Sequence, residues 1–403
     1  MTCEDEVDED LVLSPMVDTD SDEEESPGPQ VTVQSRDAEK SVYADLDAKC
    51  DKATHPFSSQ LERLTHGDPL TDPEQVLSAV DSPDYCIERC HFADLTVAAL
   101  RRRIMTSRCP LIITGMGSHM APGSQALGLE LLSELLGLDC VVPVRGQGDI
   151  KWIEFLERLC HCEQLYLADI SVARHYPWLF QHVRIPRYFL HCFSHRTRHQ
   201  LSMAYDTPAL FVGTPGTRSS LHIDQMCSNF WMFLSEGRKH WITFHPDDTK
   251  LLSPTLDQED QIYRFRSLSE LEADPEASSS LRKARKIEFT ISAGDLLFIP
   301  HGTPHEVTNL TATCAISANF FDQSNIKESL EQTARRLAER EPGSERHSNL
   351  ALILNALEEI DWPDLEEDLS PEDDLPRSGD EMAGCFPCHE PLQWRKAVTF
   401  RTP

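Results

Sequence analysis

The feature that most constrains this chain is a pair of donor residues set two apart. His222 and Asp224 lie within Ser219-Ser220-Leu221-His222-Ile223-Asp224, and Pro300-His301-Gly302-Thr303-Pro304-His305 answers them far downstream. On an extended strand, positions i and i+2 project to the same face. An imidazole and a carboxylate therefore converge on one point, and a second imidazole returning from a distant strand completes the set. Two histidines and one carboxylate on one face, with other positions open, form the facial triad that holds Fe(II) in oxygen-activating sites. A His-x-Asp pair alone is common, so the surrounding segments carry the weight.

Those segments read as strands. Asn229-Phe230-Trp231-Met232-Phe233-Leu234 is an apolar run, Ser235-Glu236-Gly237-Arg238 is a tight turn, and Lys239-His240-Trp241-Ile242-Thr243-Phe244 is a return strand stopped by His245-Pro246. Lys286–Ser292 alternates apolar and polar residues, as a half-buried strand does. Ala293-Gly294-Asp295 turns the chain into Leu296–Pro300, and Ala315–Phe321 forms a further strand. Strand–turn–strand units around a metal site predict a mainly β core, a double-stranded β-helix or jelly roll of cupin-like architecture. Lys239, at the start of a hairpin strand, reads either as a solvated charge or as a point charge for the carboxylate of an organic acid.

These residues resemble the Jumonji C (JmjC) family of Fe(II)- and 2-oxoglutarate-dependent oxygenases, over roughly residues 95–325. The resemblance is carried by Gly213-Thr214-Pro215-Gly216-Thr217-Arg218-Ser219-Ser220-Leu221-His222-Ile223-Asp224, by Gly237-Arg238-Lys239-His240-Trp241, by Ile299–Leu310 and by Ser317-Ala318-Asn319-Phe320. Trp152–Glu157 and Leu165-Tyr166-Leu167-Ala168-Asp169 look like its lead-in. The resemblance implies that His222, Asp224 and His305 ligate the metal and are the catalytic set. It implies that Lys239, Ser219 and Tyr166 bind the distal carboxylate of 2-oxoglutarate. Asn319 and Ser317 would lie beside iron and co-substrate. Ser219 and Ser317 stand where the family often has Thr, which keeps the hydroxyl. His301 and Pro304 depart from the pattern. His301 is a competing ligand, but the Pro-x-Gly-x-x-His spacing favours His305.

The formal net charge of −30 is uneven. Residues 1–40 hold 14 acids and 2 bases, and residues 356–381 hold 12 acids and 1 base, so these segments carry most of it. The expected organisation is an acidic disordered tail over 1–60, a JmjC region over 75–325 with its core at about 170–325, a polar insertion at 250–285, C-terminal helices over 326–360, and an acidic, Pro-rich tail over 361–403. Helices are expected at 95–107, 127–136, 150–160, 325–341 and 347–360, and a strand at 110–115. Arg282-Lys283-Ala284-Arg285-Lys286 reads as a solvated strand flank rather than a nuclear signal. The C-terminal helices are expected to allow homodimerisation, as they can in this family.

No span approaches the roughly 18 apolar residues of a membrane helix, and no secretory signal is read. The 13 cysteines are scattered and odd in number, as reduced thiols are. An intracellular location, nuclear or cytoplasmic, is expected. Cys86-x-x-x-Cys90-His91 is placed on a helix; packing is favoured for Cys160-His161-Cys162; Cys385 and Cys388 read as a labile zinc or redox contact at most. The expected function is hydroxylation of a protein side chain with Fe(II), 2-oxoglutarate and O₂, releasing succinate and CO₂. Lysine or arginine demethylation by the same chemistry is the alternative, weakened by the lack of a chromatin-reader motif. An inactive cupin-like binding module is the alternative of another class. The partner is expected to be a protein, basic where it meets the acidic tails. The acidic balance argues against nucleic acid.

Overall fold

Alternation along Lys286–Ser292 turns Ile287, Phe289 and Ile291 inward and leaves the residues between them half-buried or exposed. That strand belongs to the smaller of two facing sheets. The computed structural model describes residues 84–121, 126–189, 207–258, 261–359 and 383–384. The acidic tail over 1–60 and the Cys385 and Cys388 pair lie outside the described residues.

In chain order the strands are β1 (Glu88–His91), β2 (Leu111–Thr114), β3 (Tyr166–Ser171), β4 (Ala209–Gly213), β5 (Arg218–His222), β6 (Asn229–Glu236), β7 (Arg238–Phe244), β8 (Lys286–Ser292), β9 (Leu296–Ile299), β10 (His305–Asn309) and β11 (Thr313–Phe320). The larger sheet runs β1-β2-β9-β6-β11-β4-β3, and the smaller runs β8-β7-β10-β5. The β1–β2 pair is parallel and the other pairs are antiparallel. Tyr166, Phe211, Phe230, Trp241, Phe289 and Val307, drawn from both sheets, pack in the space between them. The result is the expected jelly roll.

The unbroken apolar run of β6 has a simple cause. Phe230, Met232 and Leu234 face the inter-sheet core, while Trp231 and Phe233 face helices behind the sheet. A strand covered on both faces has no reason to alternate. The covering helices include α1 (Val97–Thr106), α2 (Leu129–Leu136) and α3 (Trp152–Cys160). Trp152, Phe155, Leu156 and Leu159 of α3 are buried in that layer. Helix α3 begins at Trp152 rather than Ile150, because Gly148–Lys151 pairs with Val141–Val144 as a short hairpin.

The expected helix at Cys86–His91 is overturned. Glu88–His91 is β1 and lies alongside β2. Among the described residues Cys86 and Cys90 belong to no group of side chains placed to hold an ion.

The 250–285 insertion folds more than its composition suggests. A hairpin of Thr255–Asp257 and Ile262–Arg264 leads into α4 (Leu268–Ala273) and α5 (Pro275–Leu281). Ser267 and Glu270 form a reciprocal capping box on α4, and Asp274 caps α5. Leu252, Leu271, Ala277 and Ala284 pack against Leu221 and Phe244 on the outer face of the smaller sheet. The basic stretch at its end is a strand flank, as expected. Arg285 grips Asp248 through two nitrogens at 2.8 and 3.0 Å, and Ala284 is buried.

Helices α6 (Ile326–Ala338) and α7 (Glu345–Glu359) follow the core. Their apolar residues Ile326, Leu330, Ile353, Ala356 and Leu357 gather around Met226 and Phe321. They therefore brace the loop that follows Asp224.

Candidate metal centre

His222 and His305 are brought together by strand register. Antiparallel β5 and β10 pair His222 with His305 and Ser219 with Val307. Three steps along β5 thus match two along β10, which is a β-bulge. The extra residue lets Ser219 and His222 both serve the interior although they are an odd number of positions apart. Asp224 lies just beyond the end of β5, where its backbone is still extended at φ −60° and ψ 139°. The i, i+2 argument therefore holds without a strand at that position.

The three side chains converge. Their donor atoms all lie within 4.8 Å of one another, and His222 Nε2 is 3.8 Å from Asp224 Oδ1. His222 Nδ1 contacts the Ser220 carbonyl at 2.7 Å, and His305 Nδ1 contacts the Thr303 carbonyl at 2.9 Å. A carbonyl only accepts, so each Nδ1 carries the proton and each Nε2 offers a lone pair. Burial, with the neighbouring His305, holds His222 down to about 4, and burial holds His305 down to about 4. Neutral imidazoles are the metal-binding form. Burial raises Asp224, opposed by His222 and by a hydrogen bond with Asn319. Two neutral nitrogens and one carboxylate in a three-cornered set fit a divalent iron.

Lys239 lies on β7, cross-strand from Asn309. Its side chain is fully buried and its Nζ has no hydrogen-bond partner. Burial pushes it down to about 7. The ammonium is 5.5 Å over the Tyr166 ring. Burial drives Tyr166 up to about 12, so its phenol stays a donor, and it hydrogen-bonds Ser219. The solvated reading of Lys239 is thereby overturned: an unpaired buried cation over the ring of a phenol that is itself bonded to Ser219 suits a carboxylate. Asn319 donates to Ser228 Oγ at 2.9 Å and supports Asp224. Ser317 is buried two positions earlier on β11.

Residues 151–327 match the cupin-like domain family. The chain is similar to HSPB1-associated protein 1 of Bos taurus, 32% identical over 101 residues, or 25% of this chain and 21% of that protein. It is similar to arginine-specific demethylase JMJ22 of Arabidopsis thaliana, 28% identical over 173 residues, 41% of this chain and 33% of the relative. It is also similar to the 2-oxoglutarate and iron-dependent oxygenase JMJD4 of Homo sapiens, 26% identical over 162 residues, 40% and 38% of the two chains. Each match spans well under two thirds of the relative's length. Residues 151–327 form a cupin-like domain, similar to those of the JmjC-type relatives.

Within this cupin-like domain one candidate falls away. His301 does not join the metal set. Its Nε2 meets Arg108 Nη1 at 2.6 Å and its backbone N–H donates to Asn229 Oδ1.

Other residues of the site were not singled out from sequence. Asn309 donates to Thr217 Oγ1 at 2.8 Å and so holds the turn that leads into β5. A Cβ on Gly213 would come within 2.0 Å of Asn309 Nδ2, which explains a glycine there. Arg145 and Asp169 pair at 3.3 Å beside Tyr166. Asp169 sits inside the quoted lead-in, three positions after Tyr166, and that was the available signal; nothing local pointed to Arg145.

Proposed function

We propose that this chain is an Fe(II)- and 2-oxoglutarate-dependent dioxygenase that oxidises a protein side chain. The observation that carries the reading is the fully buried, unpartnered Lys239 ammonium in a core that also holds the His222, Asp224 and His305 set. A buried charge without a partner is costly, and an anionic ligand accounts for it. Bound Fe(II) supplies O₂ activation: one oxygen atom enters the substrate, the other enters 2-oxoglutarate, and succinate and CO₂ leave.

His222, Asp224 and His305 would hold the metal, and three protein donors would leave it free to take a chelating keto acid and O₂. Lys239 receives the distal carboxylate, and Tyr166 and Ser219 donate to it. An arriving carboxylate restores full charge to Lys239. Asn319 orients Asp224, and the Ser220 and Thr303 carbonyls keep each imidazole in its ligating tautomer.

Side-chain hydroxylation and removal of an N-methyl group use the same residues. The similarity to an arginine-specific demethylase supports methylarginine as a substrate to be tested beside unmodified protein. In this reading two copies can pair through α6 and α7, where Leu352 is exposed. The free thiols among the described residues support an intracellular setting, nuclear or cytoplasmic. Among the described residues no helix is long and apolar enough to cross a membrane.

The test is succinate formation by the full chain with Fe(II), 2-oxoglutarate and O₂, with His222→Ala and Lys239→Ala alongside. Turnover lost in both variants supports the reading, and formaldehyde release from methylated protein marks demethylation. Neither turnover nor Fe(II)-dependent binding of 2-oxoglutarate would leave the inactive cupin-like binding module in its place.

A further inference from the structure

The hairpin turn between Val141–Val144 and Gly148–Lys151 carries Arg145, and β3 carries Asp169. Arg145 Nη2 donates to Asp169 Oδ2 at 3.3 Å, with side chains 31% and 24% exposed. This pair stands beside Tyr166. The Arg145 guanidinium lies 5.8 Å from the centre of the Tyr166 ring, the ring that Lys239 also approaches. The backbone ties the hairpin there too, since Arg145 N–H donates to the Tyr166 carbonyl at 2.9 Å. Solvent reaches both members of the pair, whereas Lys239 is sealed off.

Asp169 is aimed by an interruption of its strand. Between Leu167 and Ile170, three steps of β3 match two of β4, from Val212 to Leu210. Asp169 takes φ +59° in this bulge, a conformation that residues with a side chain seldom adopt. Bulges beside active sites re-aim side chains. The contact that results is a poor one: one oxygen, at a length beyond the usual 2.7–2.9 Å of a charge-assisted bond. A strand has been distorted for a carboxylate that its own partner grips loosely.

We propose that Asp169 recognises a cationic side chain, arginine or lysine, presented by the protein substrate, and that Arg145 occupies the carboxylate until that side chain arrives. This rests on the dioxygenase reading above. A cationic substrate exchanges one cation for another, so Asp169 is never left unpaired. A neutral substrate has to part the pair with nothing to replace it, which makes the pair a filter as well as a site.

The test uses the full chain with Fe(II) and 2-oxoglutarate under anaerobic conditions. Fluorescent nonapeptide libraries, degenerate except for a central Arg, Lys, citrulline or norleucine, are titrated and read by anisotropy. Citrulline keeps the shape of arginine without its charge. The Arg and Lys libraries are expected to bind about five- to tenfold tighter than the citrulline library. Asp169→Asn, which still accepts from Arg145, brings that ratio to about one, and Arg145→Gln, which removes the competitor, raises it. Equal binding of the Arg and citrulline libraries, at any affinity, overturns the proposal, as does a preference that survives Asp169→Asn. Binding of 2-oxoglutarate is followed in the same samples. Its failure in the unsubstituted chain sinks the dioxygenase reading, whereas a lost charge preference with 2-oxoglutarate still bound sinks only the role of Asp169.

Discussion

His222 and His305 stand directly opposite each other on β5 and β10, with ring centroids 4.2 Å apart. Two imidazoles this close and this buried repel each other once protonated, so the fold keeps them neutral. Each Nδ1 is committed to a carbonyl in its own strand or turn. The arrangement leaves two lone pairs and the Asp224 carboxylate facing one point, prepared for a cation before one arrives.

Metal binding should follow this arrangement residue by residue. His222→Ala is expected to abolish Fe(II) binding in an anaerobic titration. Asn319→Ala removes no ligand, yet it frees the Asp224 carboxylate from its hydrogen bond, and it is expected to weaken Fe(II) binding about 10–100-fold, as loss of such a supporting partner typically does. Full affinity in His222→Ala would place the metal elsewhere.

Lys239→Met should separate stability from function. The unpartnered buried ammonium destabilises the ligand-free chain. A thioether side chain of similar length fills the space without a charge. The variant is expected to gain about 1–3 kcal/mol in urea unfolding without ligand, while losing 2-oxoglutarate binding. A variant that is less stable and still binds the co-substrate would show that Lys239 has a different purpose.

The His222, Asp224 and His305 set was readable because its geometry is local: two residues on extended backbone and a turn of recognisable chemistry before His305. Strands β7, β8 and β9 were readable from alternation and from the glycine turns at Gly237 and Gly294, both at positive φ. The bulge that lets Ser219 and His222 share one side was not, since it exists only relative to β10. Cys86–His91 was misread because a four-residue strand at a sheet edge has too few positions to show its period. The caps at Ser267 and Asp274 were visible signals in a segment dismissed for its polarity. The Arg145–Asp169 pair depends on a bulge and on a distant hairpin, and pairing of that kind leaves no local pattern.

Acid should weaken the fold through His301 as well as through the metal ligands. Burial and Arg108 hold His301 down to about 4, below its ordinary 6.5, with Glu328 opposing. The neutral ring accepts from Arg108, whereas the protonated ring would face it as a second cation. The unfolded chain therefore takes up this proton first as pH falls. The stability due to neutral His301 is complete above about 6.5 and is lost as pH falls through about 4, at up to about 1.4 kcal/mol per pH unit. His222 and His305 add to the same trend in every variant, so His301→Gln isolates one proton. Urea midpoints of the metal-free chain at several pH values are expected to fall less steeply in His301→Gln. Identical slopes would remove His301 from the acid response.

The C-terminal helix should matter to a metal it does not touch. Asp224 is followed by a turn in which Met226 and Cys227 hold φ of 55° and 53°, a strained conformation for residues with side chains. Helix α6 holds that turn: Ser329 Oγ donates to the Met226 carbonyl at 2.7 Å, and Asn325 Nδ2 donates to the Cys227 carbonyl at 2.8 Å. Ser329 is fully buried, so Ser329→Ala leaves the Met226 carbonyl without that bond and should cost about 1–3 kcal/mol of stability. Once the turn relaxes, Asp224 is no longer held against the two imidazoles, and Fe(II) affinity is expected to fall about tenfold or more. Stability and anaerobic Fe(II) binding are measured on the same samples. A stability loss with unchanged metal affinity would mean that α6 only packs against the core; a loss in both means that it sets the position of the carboxylate ligand.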